Sequence, residues 1–566
     1  MARMPHTSVQ DLLDSGAGFA RALPALAGAL GQLSTDAPLE RVREGLFYLG
    51  AAAIDRVREM EAEGQRALAD VVAPDLLRPF PAATIVELSS ERSVRRVPAG
   101  AEVQSAGPHP CRFGMVSEIR VGPWRAENAR IERPADGVGV LRFELAATGA
   151  LSLADVVGPR VRFFVDAGRD SALALVAHVL AHTSRAELAF ESGETRALEA
   201  VSPYGTHSRH ALAPEPDGPH TGLSLLREYF LLPDKFCFFE LAGLASALRG
   251  SSARRATVTL AFREPLPAVV TIEPTAIRAH CVPATNLFRS SAEPWVFEPG
   301  RPSAPVRVAG LPAEQGGVYA VLGASAMPRD DDEGVPIALQ PVRRFAAGAS
   351  DSDFPYALST KLETPPGGAE PELVVCLTSP RGKPPSLEPN VVSMDLLATN
   401  RARASALRPG DLAQAGQGMP PGVVARNIRP CSPYVPPPTG AEFALQVAVR
   451  AAVPDGDPLF ALQSRLLAMV PRHGVAPATA RANVARVMAL QSVKVARAID
   501  RQVGRRGYET RIVLDETPFQ GLGDVALFLR LLHAAFEAQA SVSRFYRCIA
   551  TCTKSGARVV WPPEAS

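Results

Sequence analysis

The chain has 566 residues, 46% hydrophobic and 21% charged, a folded-protein composition with room for three or four domains at ~150 residues each. Its 60 basic and 58 acidic residues give a formal net charge of +2, which supplies no long-range field to draw in a nucleic acid or an anionic membrane. The 52 prolines are nearly twice the usual ~5% and cannot donate to a helix or sheet ladder, so many short strands with irregular connections are expected.

Near the start, the apolar stretch 16–33 does not have the form of a secretory signal. Asp11 and Asp14 stand where a basic region belongs, and Arg21 and Pro24 interrupt the apolar run. Leu39, Val42, Leu46, Leu49, Ala53, Val57 and Met60 then recur at spacings of three and four with charges between them. That is one apolar stripe on a long amphipathic helix. Asp36 suits the N-cap and Pro38 the first turn, where a missing N–H costs little. Pro74, Pro79 and Pro81 end the helical region, 1–81. Leu39, Val42, Leu46, Leu49 and Val57 are candidate partner-contact residues, because such a stripe needs a second helix to cover it.

The period then changes to two. Ile85 opens a strand; Leu141, Phe143 and Leu145 alternate with polar residues, as do Val161, Phe163 and Val165, and Val258, Leu260 and Phe262. A helix from Ser171 to His182 interrupts this first β-rich domain, 82–263. From 264 to 438 prolines crowd short strands such as Leu373 to Leu377, which reads as a second β-rich domain with long loops. The run Pro433-Tyr434-Val435-Pro436-Pro437-Pro438 has the composition of a linker.

The last section, 439–566, returns to α/β alternation. Helices are expected over Phe460 to Val470, Thr479 to Leu490 and Val525 to Val542, and a strand over Arg511 to Glu516. Periodicity leaves Ser543 to Thr553 open between helix and strand. The class is therefore α+β and multi-domain, with an N-terminal helical segment, β-rich middle domains with Pro-rich loops and an α/β C-terminal domain. No internal repeat is visible, and no run of ~18 uncharged apolar residues could span a membrane.

The histidines are the first candidates for chemistry. His178 and His182 are four apart on the expected helix, but Val179 stands where an HExxH zinc hydrolase needs its glutamate. His207, His210 and His220 lie in a nearby Pro/Gly-rich loop. A metal-dependent hydrolase built on His178, His182 and a loop histidine is the one enzymatic alternative; two helix histidines and a solvated loop are the plainer reading. Cys548 and Cys552 lack a second ligand pair at zinc-ribbon distance, and the seven scattered cysteines contain no CxxC, which suits buried thiols in a reducing compartment. Gly521-Leu522-Gly523-Asp524 lacks the rest of a phosphate loop and reads as a turn before a helix. Asp515 and Glu516, neighbours at a strand end, cannot flank one glycosidic bond. No constellation specifies a reaction, a cofactor or a resident metal, and no enzyme activity is expected.

Several phrases occur together in order. They are Asp36-Ala37-Pro38-Leu39-Glu40-Arg41 with Glu44-Gly45-Leu46-Phe47-Tyr48-Leu49, and Pro74 with Leu77-Arg78-Pro79-Phe80-Pro81. Then come Val97-Pro98-Ala99-Gly100, Tyr229-Phe230 with Pro233-Asp234-Lys235-Phe236, and Cys281-Val282-Pro283-Ala284-Thr285-Asn286-Leu287-Phe288. Leu397-Ala398-Thr399-Asn400-Arg401 and the closing Trp561-Pro562-Pro563 complete the series. This collinear set resembles the TssF family, also called VasA or ImpG, of type VI secretion baseplate components. Two places depart from it: the opening helix is reduced to Val9-Gln10-Asp11-Leu12-Leu13, and an Asn-Ser-Phe phrase appears as Val542-Ser543-Arg544-Phe545.

The resemblance implies a structural role. The chain would join a second copy of itself and one TssG to form a wedge around the spike hub VgrG. Six wedges would bind TssK, with TssE and the sheath and tube components as further neighbours. It would be soluble and cytoplasmic, at a baseplate docked on the inner membrane without direct insertion. A wedge protein of a contractile phage tail or phage-like particle is the alternative of the same class. Most residues of Tyr229 to Leu244 are expected to fill a core, and Asn286 to cap a turn.

Overall fold

The computed structural model describes residues 50, 53, 54, 57, 60, 61 and 63–561, except 134–137, 215–222, 299–302, 329–335, 342–356, 364–369, 379–389, 452–455, 473–474, 500–505 and 540–543. The protein is α+β and divides into two compact units, with all of the described sheets in the larger one. One unit is Met1–Leu77 with Gly440–Ala451; the other is Arg78–Thr439 with Ala452–Ser566.

In the smaller unit, residues 63–72 are helical and pass into a 3-10 turn, Pro74–Leu77. Ala69, Ala73 and Leu76 bury against Phe443 and Val447 of the helix Gly440–Ala451. The four-residue spacing of Phe443 and Val447 puts both on one face of that helix. Arg450 clamps the Asp75 carboxylate through two nitrogens at 3.0 Å. Residues 440–451, read from sequence as the start of the C-terminal domain, thus pack with the N-terminal region.

In the larger unit a six-stranded sheet runs Leu412–Ala415, Glu102–Ser105, Arg112–Met115, Cys281–Thr285, Ala83–Ser90, Val423–Asn427. Its end strands meet: the Gly410 N–H donates to the Asn427 carbonyl, and the Leu412 N–H donates to the Asn427 side chain. The sheet therefore curls around Val86, Leu88, Val103, Phe113, Val282 and Ala425. Its strands come from both the 82–263 and the 264–438 segments. The sequence boundary between them marks a change of composition, not a break between sheets.

Two further sheets share one core. The first runs Thr195–Ala197, Thr183–Phe190, Arg255–Phe262, Val140–Ala147, Trp124–Glu132; the second runs Ala200–Pro203, Phe238–Ala242, Arg160–Val165, Ile277–Ala279. The alternating apolar residues of the first meet Phe163, Phe239 and Leu241 of the second, with Phe163 packed at 5.0 Å from Phe143 and 5.6 Å from Phe239. Strand Arg160–Val165 breaks the expected alternation at Phe164, which is also buried and packs 4.8 Å from Phe238. Both faces of that strand are covered. The helix expected over 171–182 spans Arg169–His182 and belongs to the same core.

Next come two sheets of the Pro-rich region. One runs Phe288–Ser291, Asn390–Thr399, Gly317–Pro328, Ile337–Ala338, with Trp295–Val296 also on Asn390–Thr399. The other runs Ser303–Pro305, Glu372–Thr378, Ala357–Glu363, Gln340–Pro341. Phe288, Phe297, Val375, Leu377, Val392 and Leu396 form their common core. The run 433–438 is not a free linker. Tyr434 and Val435 are buried, Val435 bridges Phe80, and the Tyr434 N–H donates to Ser405 Oγ at 2.7 Å.

The C-terminal sheet runs Leu490–Ile499, Arg506–Leu514, Phe545–Cys552, Arg558–Trp561. Its two middle strands are parallel, and the helix Leu522–Gln539 crosses between them. Helices Pro458–Met469 and Pro477–Met488 each begin with proline at the position where no N–H is needed, and Asp457 caps the first by accepting from the Leu459 N–H at 3.0 Å. Within 543–553, Phe545–Cys552 is a strand. Its buried residues, Phe545, Cys548, Ala550 and Cys552, end in strict alternation, which a helix cannot satisfy.

Candidate functional site

Side chains singled out for chemistry occupy structural positions. His178 is buried, donates through Nε2 to the Glu264 carbonyl at 3.1 Å, and meets the Phe262 ring edge-on at 4.7 Å. Burial, reinforced by the His182 ring 4.8 Å away, lowers its pKa to about 4. His210 packs on Tyr204 at 4.5 Å and is held down to about 3, first by burial and then by Arg162. His207 lies 6.3 Å from His210, ring to ring, and His220 lies outside the described residues. Among the described residues no three His, Cys, Asp or Glu side chains gather as metal ligands.

Cys548 and Cys552 are free and buried in the C-terminal core, where burial pushes the Cys548 thiol up to about 12. A thiol so shifted is a small core hydrophobe, not a thiolate nucleophile. Asp515 and Glu516 follow the strand that ends at Leu514. Asp515 accepts from the Thr517 N–H at 3.0 Å, and Glu516 from the Ser555 N–H at 2.5 Å, so both tie turns together.

The phrases around Asn286 and Asn400 meet in a buried polar knot. Asn286 Nδ2 donates to Asn400 Oδ1 and to the Arg112 carbonyl, both at 2.8 Å. Asn286 Oδ1 accepts from Thr399 Oγ1 at 2.7 Å and from the Asn400 N–H at 2.8 Å. Its backbone N–H donates to the Ala82 carbonyl at 2.7 Å, and the Arg112 N–H donates to Asn400 Oδ1 at 3.0 Å. Asn286, Thr399 and Asn400 are all completely buried, so every bond is made where water cannot substitute. Asn286 is therefore more than the turn cap expected of it. It fastens the curled six-stranded sheet to the following β region at the point where the chain leaves one and returns to the other.

A second knot joins the phrase beginning at Tyr229 to the C-terminal domain. Tyr229 Oη donates to Asp524 Oδ1 at 2.5 Å; Arg486 pairs with Asp524 Oδ2 at 3.2 Å; and the Gln520 N–H donates to the same oxygen at 3.0 Å. Arg486 also donates to Asn483 Oδ1 at 2.9 Å, and Asn483 Nδ2 donates to the Phe230 carbonyl at 3.0 Å. Asp524 is 1% exposed, and burial followed by the Asp524 charge raises the Tyr229 pKa well above the phenol range. One residue away, Glu228 and Lys235 form an ion pair with both side chains fully buried, and Glu228 also accepts from the Leu212 N–H at 2.7 Å. Burial pushes Glu228 up and Lys235 down, while their mutual attraction opposes both shifts. Phe236, Phe238, Phe239, Leu241 and Leu244 are core, as expected.

Gly521 and Gly523 have separate duties at the start of the helix Leu522–Gln539. Gly521 adopts φ +88°, and Gly523 lies so close to the helix Arg169–His182 that a Cβ would sit 2.6 Å from Ala174 backbone atoms. They shape a turn and a helix crossing. Reading the sequence missed Asn483, Arg486 and the clamp role of Asp524; the only sign was a charged or amide residue on an otherwise inward helix face.

Of the contact candidates, Leu39, Val42, Leu46 and Leu49 lie outside the described residues. Val57 is on a helix and 55% exposed, and Ile54, Met60, Leu68 and Val71 are also exposed at 39%, 59%, 44% and 60%. Among the described residues nothing covers that apolar set, although apolar helix faces are normally buried.

A family model described as type VI secretion system, TssF, matches residues 9–566. Type VI secretion system component TssF1 of Pseudomonas aeruginosa is 22% identical over 312 residues, which are half of this chain and half of that protein. Among solved structures, a chain of the type VI secretion system TssK-TssF-TssG baseplate subcomplex, from cryo-electron microscopy, superposes with a TM-score of 0.79 at 21% identity. That match covers 93% of this chain and 99% of the other. A chain of the baseplate complex from the type VI secretion system gives a TM-score of 0.61 at 20% identity, covering 98% of each. At such identities the superpositions establish a shared fold.

Proposed function

Because the chain belongs to the TssF family of the type VI secretion system, we propose that it is a structural subunit of the baseplate, acting through its interfaces and not by catalysis. The observation that carries this reading is the family match over 9–566, to which the fold likeness over nearly the whole chain adds support. The reading is supported mechanically by the exposed apolar residues Ile54, Val57, Met60, Leu68 and Val71 of the N-terminal helical region. The stripe Leu39, Val42, Leu46, Leu49 and Val57 would be shared with a second copy of the chain and one TssG, forming a wedge by coiled-coil-like packing.

In this proposal six wedges surround the spike hub VgrG, bind TssK, and seat TssE, the sheath and the tube. The baseplate holds a pre-contraction arrangement, and movement at subunit interfaces releases the sheath. The buried knots at Asn286 and Asp524 suit such a part, since they keep the sheets of each subunit fixed while load passes between subunits. The site of action would be the cytoplasmic side of the inner membrane. No described helix is long and apolar enough to cross a membrane.

Copurification of the tagged chain with TssG and TssK, expressed together, tests the reading. Recovery of the complex from wild type, and its loss from a variant with Leu46→Asp and Leu49→Asp, is expected. A chain that leaves TssG behind would refute it.

A further inference from the structure

The C-terminal sheet ends on an edge strand, Leu490–Ile499, which among the described residues is bonded on one side only, to Arg506–Leu514. Its start is covered: Leu490 and Val493 are buried, and the Leu490 carbonyl accepts from Gln463 Nε2 at 2.9 Å. Beyond Val493 the cover stops, and Lys494, Val495, Ala496 and Arg497 are all exposed, so the strand is bare on both faces. On the face that turns inward earlier in the strand, Val495 is 47% and Ile499 64% exposed. Between them on the same face Arg497 stands opposite Tyr508, and that row continues to Tyr546, with the two tyrosine rings 5.7 Å apart and Phe536 stacked on Tyr546.

Charge on this edge has one sign. Lys494, Arg497 and Arg506 are exposed and have no acidic partner among the described residues. The nearby Glu509 is already shared by Arg511 at 2.8 Å and Arg547 at 3.6 Å. Lysine and arginine on an edge discourage pairing with a like-charged copy of the same strand, and they favour an acidic one. An unpaired edge offers backbone N–H and C=O groups, and side-chain alternation sorts what can lie beside it.

We propose that Leu490–Ile499 is a docking edge for an extended acidic segment of a partner protein, which adds to the sheet as a further strand. On one face apolar side chains of that segment cover Val495 and Ile499; on the other its carboxylates face Lys494, and the Arg497 charge adds to the attraction. This assignment rests on the C-terminal sheet alone and is independent of the wedge reading.

The test uses the full chain and a fluorescent eight-residue peptide of alternating glutamate and valine, with a lysine–valine counterpart and polyphosphate as controls. Anisotropy is expected to show saturable binding of the glutamate peptide only. The affinity should fall about tenfold or more in the Lys494→Glu, Arg497→Glu double variant, and also on raising salt from 0.05 to 0.5 M. Hydrogen exchange should show new protection of the 494–499 amides in the wild-type complex, a readout that does not depend on the variant folding. Equal binding of both peptides, unchanged affinity in the variant, or no protection of these amides would overturn the proposal. Full displacement by polyphosphate with no amide protection would reduce the edge to general anion attraction, and self-association through it would make the occupant a second copy; either result also overturns it.

Discussion

Asn286 and Asn400, 114 residues apart in the chain, share a 2.8 Å side-chain hydrogen bond in a site that excludes solvent. Each amide spends both its donor and acceptor capacity on groups from other segments, so neither residue is replaceable by an apolar one. Asn286→Ala would strand the Thr399 hydroxyl and the Asn400 N–H and is expected to cost about 3 kcal/mol. Urea unfolding measures it; a loss under about 0.5 kcal/mol would show that the knot is dispensable.

The Asp524 clamp predicts an asymmetry. Tyr229→Phe removes one hydroxyl and leaves the Arg486–Asp524 pair, for a loss of about 1 to 2 kcal/mol. Asp524→Ala leaves Arg486 buried without its counter-ion, for a loss of about 3 to 5 kcal/mol. Equal losses in the two variants, measured by chemical denaturation, would argue against a buried ion pair at this point.

The two neighbouring glycines should separate in the same way. Gly523→Ala drives a Cβ into the Ala174 backbone at 2.6 Å, where neither helix can yield by a rotamer change, and should destabilise by about 3 kcal/mol or more. Gly521→Ala has open space around it and bears only the left-handed backbone, for about 1 kcal/mol. Thermal melts of the pair would show the larger drop for Gly523→Ala.

Acid sensitivity follows from His280 and His178, both buried and both lowered to about 4, chiefly by burial. Unfolding restores a value near 6.5, so the unfolded chain takes up protons first. The stability these neutral rings provide is complete above pH 6.5 and is lost as pH falls towards 4, up to about 3 kcal/mol for each. His280→Asn is the apt probe, because His280 has φ +58° and asparagine tolerates that conformation. The slope of the urea midpoint between pH 6.5 and 4 should be shallower in the variant.

Much of this architecture is visible in local pattern. Leu141, Phe143 and Leu145, or Val258, Leu260 and Phe262, announce half-buried strands because side-chain direction has a period of two. Phe164 breaks that pattern because its strand is covered on both faces, a fact set by elements distant in sequence. Distance also hid the partnership of Phe443 with Ala69 and Ala73, and that of Asn286 with Asn400. Both asparagines stood in the phrases that carry the family resemblance, yet only folding shows that they bond to each other. Pro433 to Pro438 misled through composition: its prolines suggested a spacer, while Tyr434 and Val435 anchor it. Of the candidate contact residues, Val57 is found on an exposed helical face, and the other four lie outside the described residues.

The most direct measurement is native mass spectrometry of the chain coexpressed with TssG. A particle holding two copies of this chain and one TssG, lost when Val57 and Met60 are replaced by aspartate without change in the melting temperature of the chain, is the predicted result. A lone 60.0 kDa species with TssG recovered apart from it would contradict the account.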